Sequence, residues 1–156
     1  MKKKLKWIFA GLFAAVALLQ FTNPARTNPP VVTDFIGTNS PPPQIAAMLR
    51  ASCYDCHSHE TRWPWYSRVA PMSWLIANDV KDGRANLDLS DWPAGDRLRS
   101  AKKMENMGEQ IGFGDMPPKK YTLIHADARL TDGQRKELSG WLDAEAEKLK
   151  ASVSDK

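Results

Sequence analysis

Cysteine is almost missing from this chain: of its 156 residues only Cys53 and Cys56 carry a thiol. No disulfide framework competes for them, and a four-ligand structural zinc site lacks its second Cys pair. A charge excess is missing too. The formal charge of +4 is accounted for by Lys2, Lys3, Lys4 and Lys6, and from residue 7 onward 18 basic residues face 18 acidic ones. No basic patch with interleaved aromatics asks for nucleic acid. Internal repeats are lacking, as is any strand-length alternation. No paired carboxylates or nucleophile–base signature stand near the cysteines, and without a βαβ pattern a thioredoxin-like use of the thiols has no scaffold. What remains reads as all-α.

The N-terminus is present in force. Met1 to Lys6 is positive, and Trp7 to Phe21 is almost unbroken apolar sequence. That order exports a chain and leaves the lysines on the cytoplasmic side. The run is short for a span of about 20 residues, yet Leu18-Leu19-Gln20-Phe21-Thr22 is a poor cleavage site. Residues 1–22 are therefore expected to act as an uncleaved signal anchor, or else as a signal peptide. The expected location is the periplasmic side of a bacterial inner membrane, or the free periplasm after cleavage. Residues 23–43, with Pro24, Pro29, Pro30, Pro41, Pro42 and Pro43, read as a semi-rigid linker. Within it, Val31 to Ile36 carries enough apolar side chains to dock on a domain. The remainder divides into a domain over 44–150 and a polar tail over 151–156.

Cys53-Tyr54-Asp55-Cys56-His57 is the most specific stretch. Two thiols three positions apart on a helical turn can form thioethers to the two vinyl groups of one porphyrin, and the adjacent imidazole can bind its iron. The spacing thus predicts one covalent haem c, attached at Cys53 and Cys56 and ligated by His57. Export supports this, because haem is joined to such thiols outside the cytoplasm.

Around the motif, helices are expected from Gln44 into Cys53, and from Met72 to Asp82 with Gly83 as a C-cap. Two more are expected, from about Pro93 to Met107 and from the capping box Thr131…Gln134 onward. Gly108, Gly112 and Gly114 suggest a flexible stretch between these last two. Trp63, Tyr66, Arg62 and Arg68 are candidate walls of a haem crevice, the arginines for the propionates. Met116 precedes Pro117 and Pro118, which bar helix and fix the residue ahead of them. It is the first candidate for the second axial ligand, ahead of His125 and Met72. His59 lies too close to His57 to cross to the other haem face.

With these residues in place, the chain resembles a cytochrome c, and more narrowly the bacterial haem-binding domain family of small, usually membrane-anchored proteins. The resemblance rests on Cys53 to Ser58, Arg62-Trp63-Pro64-Trp65-Tyr66-Ser67, Val69-Ala70-Pro71 and Met116-Pro117-Pro118 with Tyr121 and His125. It extends into the closing Leu138 to Leu142. It implies a cytochrome c-like helical domain wrapped around one haem. Such a protein is expected to carry single electrons to a redox protein partner. The alternative is a haem sensor or peroxidase-like enzyme with a labile sixth ligand, in which His125 would act as an acid–base group. Use of Cys53 and Cys56 as a thiol–disulfide pair without haem is the third possibility.

Overall fold

The computed structural model describes residues 2–154, with side chains from residue 4 onward. Among the described residues the regular structure is all helical, with no strand; an isolated bridge pairs Thr33 with Asp91. Helix α1 (Lys2–Leu19) stands apart with its apolar side chains exposed. Its apolar window, Lys4–Thr22, has a mean hydropathy of 1.7. Eighteen residues rise about 27 Å, close to the ~30 Å hydrocarbon thickness of a bilayer.

The Pro-rich segment is extended, as its prolines require, but it does not project freely. Asn28 donates to the Thr61 carbonyl (2.9 Å), and the Val32 and Thr33 amides donate to the Ser90 carbonyl (2.9 Å each). Further bonds tie Asn23 and Arg26 to the carbonyls of Arg68 and Ser67. The segment is a strap along the domain, and Val31 to Ile36 passes into its core at Phe35. There α2 (Phe35–Asn39) starts on Asp34, whose carboxylate accepts the Gly37 N–H at 2.7 Å. Phe35 is fully buried, edge-on to Trp92 with centroids 4.6 Å apart.

Helix α3 (Pro43–Ser52) starts on a proline that needs no amide partner, and buries Ile45, Met48 and Leu49. It runs into the single turn α4 (Tyr54–His57). Helix α5 (Met72–Asn86) passes beyond Gly83, so this glycine is not the expected C-cap; it lies inside the helix, where another segment crosses closely. Helix α6 (Arg97–Phe113) likewise runs through Gly108 and Gly112, and the expected flexible stretch is absent. Gly108 is buried against Ser139 and Asp143, and only Gly114, at φ +81°, ends the helix. After the short α7 (Lys119–Thr122), α8 (Asp132–Ser154) follows the expected capping box. The Gln134 amide donates to Thr131 Oγ1, and the Thr131 amide donates to Gln134 Oε1. Helix α8 continues through residues 151–154 of the polar tail.

The core forms where α6 and α8 lie along each other. Ala101, Met104, Met107 and Ile111 meet Leu138, Leu142 and Ala146, and α3, Leu89 and Trp92 close the far side. Each large side chain buried here contributes about 2 kcal/mol. Helix α3 packs on α8, and at its end, just before the Cys53–His57 turn, Ser52 Oγ donates to the Ala128 carbonyl at 3.2 Å.

Candidate functional site

The turn is built by the chain's own hydrogen bonds. The Cys53 amide donates to the Leu49 carbonyl, closing α3, and the Cys56 and His57 amides both donate to the Cys53 carbonyl (3.2 and 3.0 Å). This one turn places two thiols and an imidazole on neighbouring positions. Both cysteines are free. Cys53 packs against the edge of the core, while Cys56 lines a cleft.

Gly83 lets α5 approach the turn. A Cβ at that position would lie 2.5 Å from the Cys56 carbonyl oxygen. The close approach brings two carbonyls of α5's end, Gly83 and Leu87, to within 2.9 and 3.1 Å of His57 Nδ1. Carbonyls only accept, so Nδ1 carries the proton and Nε2 keeps its lone pair. Burial lowers the pKa of His57 against the opposing pull of the Leu87 and Gly83 bonds, which holds the ring neutral. A neutral imidazole with an anchored Nδ1–H is the form that ligates metal.

Neither thiol has the depressed pKa of a thioredoxin-like nucleophile. Burial pushes Cys53 up to about 12, with a further contribution from Cys56. Burial, then the charges of Asp79 and Asp55, push Cys56 up to about 11. Nucleophilic cysteines have depressed values.

The cleft has a volume of about 80 Å³ and is open to solvent at its mouth. One wall is apolar: Met72, Leu75, Ile76 and Val80 of α5, with Ile124 opposite. The other is a polar chain centred on Asp55, inside the motif. Arg62 forks onto it, Nε to Oδ1 at 3.1 Å and Nη2 to Oδ2 at 3.0 Å, and the Arg62 amide donates to Oδ1. The Tyr121 hydroxyl donates to Oδ2 at 2.8 Å. Burial alone would raise the Asp55 carboxyl; the bonds from Arg62 and Tyr121 outweigh it and hold the group below the ordinary range. Tyr121 also stacks on His125 (4.2 Å), whose Nε2 lies 2.7 Å from the Tyr66 hydroxyl.

The expected residues thus divide. Cys56, Arg62 and Tyr66 line the cleft together with His125 and Met72. Arg62 spends two of its five N–H donors on Asp55 and keeps three for another anion. Trp63 and Arg68 do not line it: the Trp63 indole donates to Asn28 of the strap, and Arg68 is exposed. Met116 does not line it either. Its side chain packs at the edge of the core, its amide donates to the Gln110 carbonyl, and its own carbonyl accepts from Arg135 at 2.6 Å. Asp55 and Gly83 escaped the sequence reading as site residues. A carboxylate inside the motif with an arginine seven residues on was the available signal for Asp55.

The donor set suits haem by its chemistry, with two thiols on one turn and an imidazole whose lone pair is free, and of these three groups Cys56 lines the apolar cleft while Cys53 and His57 lie behind it. Comparison with curated proteins and with solved structures gives no match. The family profile described as a haem-binding domain matches residues 14–144, most of the chain, and the protein belongs to that family.

Proposed function

We propose that this haem-binding protein holds one haem c covalently through Cys53 and Cys56, with His57 as the axial ligand, and serves as a one-electron carrier. The observation that carries the reading is His57, pinned at Nδ1 by the Gly83 and Leu87 carbonyls beside both thiols. Bound haem supplies the one-electron couple of its iron. The chain's own contribution is positional and electrostatic. Gly83 sets the spacing of α5, Asp55 holds Arg62 in place, and Met72, Leu75 and Ile76 supply an apolar wall. Helix α1 has the length and composition of an anchor. Held on the periplasmic face by it, the domain would exchange electrons with a redox protein partner.

A second reading draws on one specific observation. His125, hydrogen-bonded to Tyr66 and stacked on Tyr121 in an open cleft, is placed as an acid–base group would be in a sensor or peroxidase-like site. The absorption spectrum of the haem-loaded chain, reduced and then exposed to carbon monoxide, separates the two. An unchanged spectrum means both axial positions are held and supports the carrier; a large shift means a labile sixth site and supports the second reading. Met116→Ala, Met72→Ala and His125→Ala identify the sixth ligand as the one whose removal alters the spectrum and lowers the potential. No Soret band in protein from a haem-maturing host would overturn both.

A further inference from the structure

Three uncovered apolar side chains, Met72, Leu75 and Ile124, line the cleft, and the uncovered Trp65 (edge-on to the lining residue Tyr66), Leu123 (next to Ile124) and Val69 extend this apolar ring beyond the lining. Trp65 and Leu123 are 77 % and 76 % exposed. Exposed apolar patches on a water-soluble surface mark contacts with a partner or a membrane. Two further observations select the membrane.

The first is where α1 ends. The residues just after it, Gln20 to Asn23, are tied directly to the loop that carries the ring. The Ala70 amide donates to Gln20 Oε1 at 3.0 Å, and the Trp74 indole donates to the Thr22 carbonyl at 3.0 Å. Asn23 Nδ2 donates to the Arg68 carbonyl at 3.1 Å, and Ser73 Oγ donates to Asn23 Oδ1. Val69 and Met72 sit between these tethers, and Phe21, 88 % exposed, lies beside them. The chain has no slack there. A bilayer holding α1 therefore brings its surface to the ring.

The second is charge. The ring is carried by two stretches, Thr61–Asn78 and Met116–Ala126, which contain no Asp or Glu and four cations; of these Arg62 and Lys120 are paired with Asp55 and Asp79 of the cleft, which leaves Arg68 and Lys119. Arg68 and Lys119 are exposed. Aromatic and aliphatic side chains bordered by lysine and arginine suit the interface of an anionic bilayer.

We infer that the Trp65–Leu123 face rests on an anionic lipid surface, so that the mouth of the haem cleft opens against the membrane. This rests on the anchoring reading of α1. The test uses the haem-loaded full chain in vesicles of phosphatidylcholine and phosphatidylglycerol doped with a lipid bearing a photoactivatable diazirine near its glycerol end. Adducts are mapped by mass spectrometry. The expected result is labelling of α1, of Trp65 and of Leu123–Ile124, severalfold above Leu98 and Phe113, which are exposed apolar residues of α6. Labelling of α1 with the ring no higher than Leu98 and Phe113 overturns the inference, leaves the anchor standing and frees the ring for a protein partner. No labelling of α1 overturns both. In Val69→Glu/Leu123→Glu, Trp65 labelling should fall severalfold while α1 labelling and the visible spectrum stay constant. Persistence of Trp65 labelling in that variant counts against the ring as one docking surface.

Discussion

Gly83→Ala isolates the contact on which the site geometry depends. The new Cβ would meet the Cys56 carbonyl oxygen at 2.5 Å, its carbon at 3.0 Å and Cys56 Cβ at 3.3 Å. These atoms are backbone or close to it, so α5 and the turn must move apart. Overpacking of this kind costs about 1–3 kcal/mol, and a backbone partner places it near the upper value. Alanine returns at most about 1 kcal/mol of helix propensity. The net loss is about 2 kcal/mol, a fall of roughly 6 °C in Tm for a domain of this size. Gly140→Ala is the matched control: it lies in α8 with nothing within 4 Å of the new Cβ, and should gain about 1 kcal/mol from propensity. Guanidinium unfolding of the haem-loaded chain, followed by far-ultraviolet dichroism, measures both. Equal stability of the two variants would refute the close approach of α5 to the motif. Gly83→Ala should also disturb the haem spectrum, because the carbonyls on His57 move with α5; Gly140→Ala should not.

Other consequences can be checked independently. The Asp55 carboxyl is held below its ordinary range, so its contribution to stability is complete above about pH 4 and is lost as pH falls through the folded-state value. Asp55→Asn should therefore lower stability at pH 7 and flatten the acid limb of a denaturation profile; an unchanged limb counts against the Arg62–Asp55–Tyr121 cluster. Leu142→Ala, at a fully buried position between α6 and α8, should cost about 2–5 kcal/mol in the same unfolding assay. Cys56→Ala should leave at most one thioether, visible as a red shift of the reduced pyridine haemochrome, and Cys53→Ala with Cys56→Ala should leave haem that acid-acetone extracts.

Much of the helical order was legible because it is local. Thr131 and Gln134 face each other across one turn, and Leu138 and Leu142 repeat at helical spacing. The glycines were misleading for the opposite reason. Whether a glycine ends a helix or admits a neighbour depends on what crosses it, and Cys56 lies 27 positions before Gly83. Gly108 meets α8 in the same way. The strap was legible as extended chain but not as docked chain, since its partners Thr61, Arg68 and Ser90 are remote in sequence. The motif declared its own chemistry, whereas the polar wall did not: Asp55, Arg62, Tyr121 and His125 meet only in the folded chain.

The carbonyls that anchor His57 belong to the C-terminal end of α5, and this gives the imidazole an electrical setting as well as an orientation. A helix end of this kind carries about half an elementary negative charge. Directed at Nδ1–H, it draws the ring toward imidazolate character and makes Nε2 a stronger donor. An iron held there would have its ferric state favoured and its potential lowered relative to one on an unanchored histidine. Any partner that tilts α5 would then tune the electron affinity of the site from outside, without touching the cofactor.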